Sequence, residues 1–191
     1  MALHEALVLN LNDVSLTKFY YMARAILVKN EVLYDRYDIA FLDTFKDVET
    51  TDELLEQILE GLKKVKELHQ AGWRQAIGSS APRKNIELLT EVAGIAPYLS
   101  GIIAMEDTDR GKPDPEVFLK EAGKIEVLPG WCVVVEDAVF GVQAAKAGYF
   151  PCIGVRGGGH STAEGLREAG ADLVVEHLTE VSYLQMARLV R

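Results

Sequence analysis

Four short stretches of this 191-residue chain set polar groups at the ends of strands or in the loops that open helices. Ala76-Ile77-Gly78-Ser79-Ser80 ends in two hydroxyls just before a helix start at Pro82. Hydroxyls, loop N–H groups and a helix N-terminus together form an anion cradle, although a Ser-Ser pair there also serves as ordinary capping. Gly111-Lys112-Pro113-Asp114-Pro115 sets a lysine in a rigid loop that opens another helix, where the plain alternative is a solvated charge. Val133-Val134-Val135-Glu136-Asp137-Ala138 ends in adjacent acids, and carboxylates leaving so apolar a strand must be paired, hydrated or metal-bound unless they cap a helix. Gly141 follows and permits close backbone approach. At the start of the chain, ALVLNLNDVS (Ala6 to Ser15) places Asn10 and Asn12 two residues apart, on one face of a strand end, with Asp13 behind them.

The elements that must position these groups alternate. Strands are expected at Ala6–Leu9, Arg74–Ser79, Gly101–Met105, Trp131–Glu136, Phe150–Val155 and Asp172–Val175. Helices are expected at Pro82–Val92, at Pro115–Gly123 with Asp114 as N-cap, at Val139–Ala147 closed by Gly148, at Thr162–Ala169, and from Thr179 onward. Asp52 caps a long helix, Glu53–Ala71, whose residues Leu54, Leu55, Ile58, Leu59, Leu62, Val65 and Leu68 follow a 3.6 repeat. Near-continuous apolar strands alternating with helices predict a doubly wound α/β fold, a mainly parallel sheet covered on both faces. Sites in such sheets form beyond the carboxyl ends of the strands. Between Ser15 and Asp52 the pattern breaks: a helical stretch, Thr17–Lys29, precedes an aromatic, acidic segment without clear period.

Composition narrows the function classes. A net charge of −9 argues against nucleic acid or an anionic membrane as partner, while leaving room for a small anion in a local pocket. No apolar run reaches the roughly 20 residues of a membrane span, and the first ten residues lack the pattern of a signal peptide. Cys132 and Cys152 lie in apolar runs and read as buried free thiols, which suits a cytoplasmic setting. The four histidines form no metal-ligand pair on one helix, and Gly157-Gly158-Gly159-His160-Ser161 lacks the spacing of a dinucleotide loop.

Taken together, Ser79, Lys112, GKPDPEVF and VVVEDAVFGVQAAKAG resemble the haloacid-dehalogenase superfamily, most closely its β-phosphoglucomutase and sugar-phosphate phosphatase branch. The resemblance covers the first strand and nearly everything from Asp52 onward. It implies a Rossmann-like core, residues 1–15 and 52–191, with a helical cap inserted at 16–51, here shorter than the family's four-helix cap. It further implies Mg²⁺-dependent phosphoryl transfer through an aspartyl-phosphate. Ser79, with Ser80 beside it, becomes the phosphate-binding hydroxyl, Lys112 the phosphate-facing cation, and Asp137, supported by Glu136, the metal ligand.

One departure falls on the reacting residues. Where the family carries Asp-x-Asp-Gly-Val, this chain reads Asn10-Leu11-Asn12-Asp13-Val14. An amide is a poor nucleophile toward phosphorus and exchanges no proton near neutral pH. Losing a carboxylate also weakens a Mg²⁺ site, since that ion favours hard charged oxygens. Two amides, however, do not repel a phosphate and can donate hydrogen bonds to it. The expectation is a protein that binds phosphate or a small phosphorylated metabolite with impaired phosphoryl transfer. The alternatives are an active phosphohydrolase or phosphomutase using a displaced acid, Asp13 or Asp43, and a non-catalytic domain that dimerises or meets a protein partner through the aromatic insert.

Overall fold

The structure, a computed structural model, describes residues 6–9, 52–156 and 161–190. The expected helix Thr17–Lys29, the whole insert 16–51 and the Gly157–His160 loop lie outside the described residues.

The described strands form one six-stranded parallel sheet in the order β3-β2-β1-β4-β5-β6. These are β1 (Ala6–Leu9), β2 (Arg74–Gly78), β3 (Gly101–Ile103), β4 (Cys132–Glu136), β5 (Cys152–Val155) and β6 (Leu173–Val175). The helices are α1 (Asp52–Gln70), α2 (Arg83–Val92), α3 (Glu116–Lys124), α4 (Val139–Ala147), α5 (Ala163–Glu168) and α6 (Tyr183–Ala187). The chain runs outward from β1 to β3, then returns to lay β4 against the other side of β1. That reversal is the switch point at which doubly wound sheets open a crevice beyond their strand ends. Leu9, the last residue of β1, pairs with Ile77 on one side and Val135 on the other, so β2 and β4 each run one residue beyond it.

All five residues of β4 are buried, and they alternate between two cores. Cys132 and Val134 join Val117, Phe118 and Ala122 of α3, Val142 of α4 and Leu166 of α5. Val133 and Val135 join Leu68 of α1, Met186 of α6 and Trp73. Gly78 lets α3 close on β2, since a Cβ there would meet Val117 and Phe118 at 3.3 Å.

Several elements are shorter than the sequence suggests. Gly101–Met105 stops at Ile103, because Asp107 accepts the Ala104 N–H at 2.7 Å and turns Met105–Asp107 into a 3-10 helix. The strand expected from Phe150 begins at Cys152, since Phe150 spends its N–H on the Ala145 carbonyl, 2.9 Å away at the end of α4, and Pro151 has none to give. A 3-10 turn, Pro129–Trp131, delays β4 by one residue. The helix opened by Asp114-Pro115 starts at Glu116 with Pro115 in the cap position, while Asp114 still accepts the Glu116 N–H at 3.0 Å. The helix placed from Thr179 divides into a 3-10 turn, Leu178–Glu180, and α6, capped by Ser182.

Phe118 is fully buried, with its ring edge-on to Phe150 at 6.1 Å between centroids. Truncation of a buried aromatic removes its transfer free energy and leaves a cavity, so Phe118→Ala should cost about 3–5 kcal/mol of unfolding free energy. A urea titration checks this, and a loss under about 1 kcal/mol would mean that Phe118 is not packed between α3 and the sheet as described.

Candidate functional site

At the end of β2, Ser79 is almost fully buried. Its N–H donates to the Ile103 carbonyl at 2.9 Å, and its Oγ accepts the Ala81 N–H at 3.1 Å. Ser80 beside it is exposed. The start of α2, which follows, already has an anion at it: both Glu106 oxygens accept the Arg83 N–H, at 3.1 and 3.0 Å. The anion cradle expected from that helix start is therefore limited to the Ser79–Ala81 end of the loop. The Arg83 side chain pairs with Asp107.

Across the end of β1, Lys112 and Glu136 meet. Nζ of Lys112 lies 2.6 Å from Oε1 of Glu136 and 4.8 Å from the centroid of the Phe118 ring. The Lys112 side chain is 10% exposed and that of Glu136 not at all. The second Glu136 oxygen accepts the N–H groups of Asp137 at 3.1 Å and Ala138 at 3.3 Å. This packing requires Gly141, because a Cβ there would fall 1.9 Å from the Glu136 carboxyl. Asp137 is buried next to it. The topology thus brings Lys112 to Glu136-Asp137 at the end of β4 and sets Ser79 at the end of β2, with β1 between them. Asn10 and Asn12, which follow β1 in sequence, lie outside the described residues, as do Asp13 and Asp43.

The loop that delivers Lys112 is organised by Glu116. Its carboxylate accepts the N–H groups of Asp109 at 3.2 Å and Arg110 at 3.0 Å, and pairs with Arg110 and Lys120. The Lys120 hydrogen bond, then those backbone donors, hold its carboxyl down at about 2. Neither Glu116 nor Glu106 was singled out from the sequence. The one available signal was Glu116 with Lys120 one helical turn on; Glu106 gave none, because its partner is 23 positions away. Both cysteines are buried and free, and burial pushes the Cys132 thiol up to about 12 and the Cys152 thiol upward.

No group of three or more His, Cys, Asp or Glu suited to a metal ion occurs among the described residues. Asp137 is a hard oxygen donor, whereas the Glu136 oxygens are directed at Lys112 and at two peptide N–H groups. These donors alone do not fit an octahedral Mg²⁺.

Two predictions follow from this geometry. Removing one partner of a buried ion pair strands the other's charge, so Lys112→Met alone should cost about 3–5 kcal/mol. Adding Glu136→Gln should recover a large part of that loss in urea unfolding; strictly additive losses would mean that the two groups do not interact. For Glu116, the folded carboxyl lies below its usual 4.5, so its stabilisation is present above 4.5 and lost as pH falls toward about 2. Stability curves of the parent chain and Glu116→Gln should accordingly converge across that acid interval, and curves that stay parallel would contradict the network.

The signature of haloacid dehalogenase-like hydrolases matches residues 3–148. The chain is 34% identical over 115 residues to the chloroplastic 5-amino-6-(5-phospho-D-ribitylamino)uracil phosphatase of Arabidopsis thaliana, covering 60% of this chain and 30% of that protein. It is 29% identical over 106 residues to β-phosphoglucomutase of Bacillus subtilis, covering 56% of this chain and 44% of that one. It thus spans less than half the length of these curated relatives. The fold is similar to that of a haloacid-dehalogenase family hydrolase from Deinococcus radiodurans solved with bound phosphate and sodium. That match has a TM-score of 0.65 and 22% identity, covering 100% of this chain and 99% of the other. With a family signature across three quarters of its length, this chain belongs to the haloacid dehalogenase-like hydrolases.

Proposed function

We propose that the carboxyl edge of β1, β2 and β4 binds phosphate or a small phosphorylated metabolite, and that phosphoryl transfer at this edge is impaired. The reading rests on one observation: β1, whose end at Leu9 lies between the strands that lead to Ser79 and to Glu136, is followed in sequence by Asn10-Leu11-Asn12. In this reading Ser79, Ser80 and loop N–H groups hold phosphate oxygens, Lys112 supplies positive charge, and the amides of Asn10 and Asn12 donate hydrogen bonds where the family places acids. In the same reading, residues 16–51 are a reduced cap inserted into a core of 1–15 and 52–191. The curated relatives named as phosphatases and phosphoglucomutases, and the phosphate in the Deinococcus structure, support the ligand class.

Phosphatases of this family are generally Mg²⁺-dependent. Here Asp137 is the donor best suited to the ion, and with neutral amides at positions 10 and 12 the affinity for Mg²⁺ falls. The relatives' activities also favour a second reading, an active Mg²⁺-dependent phosphohydrolase or phosphomutase in which Asp13 or Asp43 replaces the missing nucleophile.

Two measurements separate the readings. Inorganic phosphate without Mg²⁺ should raise the melting temperature, because a ligand that prefers the folded state stabilises it; no shift at any concentration tested would defeat the binding proposal. On a phosphosugar panel with Mg²⁺, the unaltered chain should release little phosphate, and the double variant Asn10→Asp/Asn12→Asp should release more. Robust turnover by the unaltered chain would establish the second reading instead.

A further inference from the structure

Glu121 lies within α3, fully buried, with neither carboxyl oxygen hydrogen-bonded. It is on the face of α3 that covers β3, and Gly101 gives it room: a Cβ there would sit 2.5 Å from Oε1. The charged and titratable groups around it come from every neighbouring element, and most are otherwise engaged. Lys124, on the same helix, donates to the Ile102 carbonyl at 2.9 Å. Arg83 of α2 is paired with Asp107 of the turn after β3. Arg74 of β2 donates to the Ile125 carbonyl at 2.6 Å, and Cys132 of β4 donates its thiol to the Leu128 carbonyl. Burial therefore outweighs the pull of Lys124, the Ile103 peptide and Arg83, and Asp107 adds to its effect, so the carboxyl is pushed up to about 8.

The geometry points to a proton-dependent seam: Glu121 is held as the neutral acid between α3 and β3, and its ionisation loosens α3, with the loop that carries Lys112, from the edge of the sheet. The group is remote from Asp137 and Glu136 in sequence, and the inference does not depend on what binds at the strand ends. The first turn of α3 holds Glu116, which fixes the Asp109 and Arg110 N–H groups, so movement of α3 is transmitted to the Lys112 loop.

The direction in pH follows from proton linkage. Above the usual 4.5 the unfolded chain releases this proton, while the folded chain keeps it up to about 8. Across that interval the folding equilibrium constant falls about tenfold per pH unit, equivalent to about 1.4 kcal/mol, and above it the contribution levels off. Glu121→Gln keeps a neutral side chain of the same shape at every pH. Urea unfolding of the parent chain and this variant from pH 5 to pH 9 should show their separation growing in the variant's favour through the interval and then holding constant. A carboxyl ¹³C titration of Glu121 in the unaltered chain, which needs no variant to fold, should give a midpoint several units above an ordinary glutamate. Amide exchange, corrected for its intrinsic pH dependence, should lose protection faster in α3 and at Asp109 and Arg110 than in β4. Parallel stability curves, a carboxyl midpoint near 4.5, or equal loss of protection throughout would each overturn the proposal.

Discussion

The contact between Lys112 and Glu136 constrains everything around it. Two opposite charges at 2.6 Å, with the carboxylate fully buried, repay their desolvation only if the geometry is good and the remaining lone pairs are used. β4 supplies one partner at its last residue, the 107–116 loop supplies the other, and the Phe118 ring lies under the ammonium group. The Asp137 and Ala138 N–H groups use the second carboxylate oxygen, and Gly141 leaves the space it occupies. The pair therefore fixes the path of the chain out of β4, the seat of the lysine loop and the start of α4 together. Since β1 runs between β2 and β4, its end at Leu9 is set against this frame.

The frame leaves Lys112 charged but neutralised. In a site edged by carboxylates, an incoming phosphate would need a cation to offset their repulsion. In the proposed reading, amides at positions 10 and 12 contribute no formal charge and offer hydrogen-bond donors in place of anions. On that reading, the same exchange of charge for dipole that favours holding a phosphate takes away the group that would attack it. Glu116 and Glu121, on one helix and little more than one turn apart, show how strongly position decides such questions: donors hold one carboxyl at about 2, and burial, outweighing the groups that pull the other way, lifts the other to about 8.

Much of this was legible in the sequence. The apolar run Val133–Val135 can only be a strand buried on both faces, and the polar residues that end it must then lie at the sheet edge. The same logic located Ser79, and Gly141 was marked by its closeness to Glu136-Asp137. Three acids escaped it for one physical reason: their roles depend on partners or surroundings that the chain brings together only on folding. Glu106 serves a helix that begins 23 positions earlier, Glu116 gathers backbone donors from a preceding loop, and Glu121 is defined by the lack of partners in a packed interior. Strand ends were overextended where a side chain or a proline interrupted the ladder, as at Asp107 and Pro151. Periodicity reports neither event.

The central claim is that this edge accommodates phosphate without forming a bond to it. Incubating the chain with a phosphosugar or acyl phosphate and Mg²⁺, quenching in acid and weighing the intact protein tests that claim most directly. The account predicts no phosphoryl mass increment on the unaltered chain. A phosphoryl group covalently bound to any of its side chains, confirmed by peptide mapping, would contradict it.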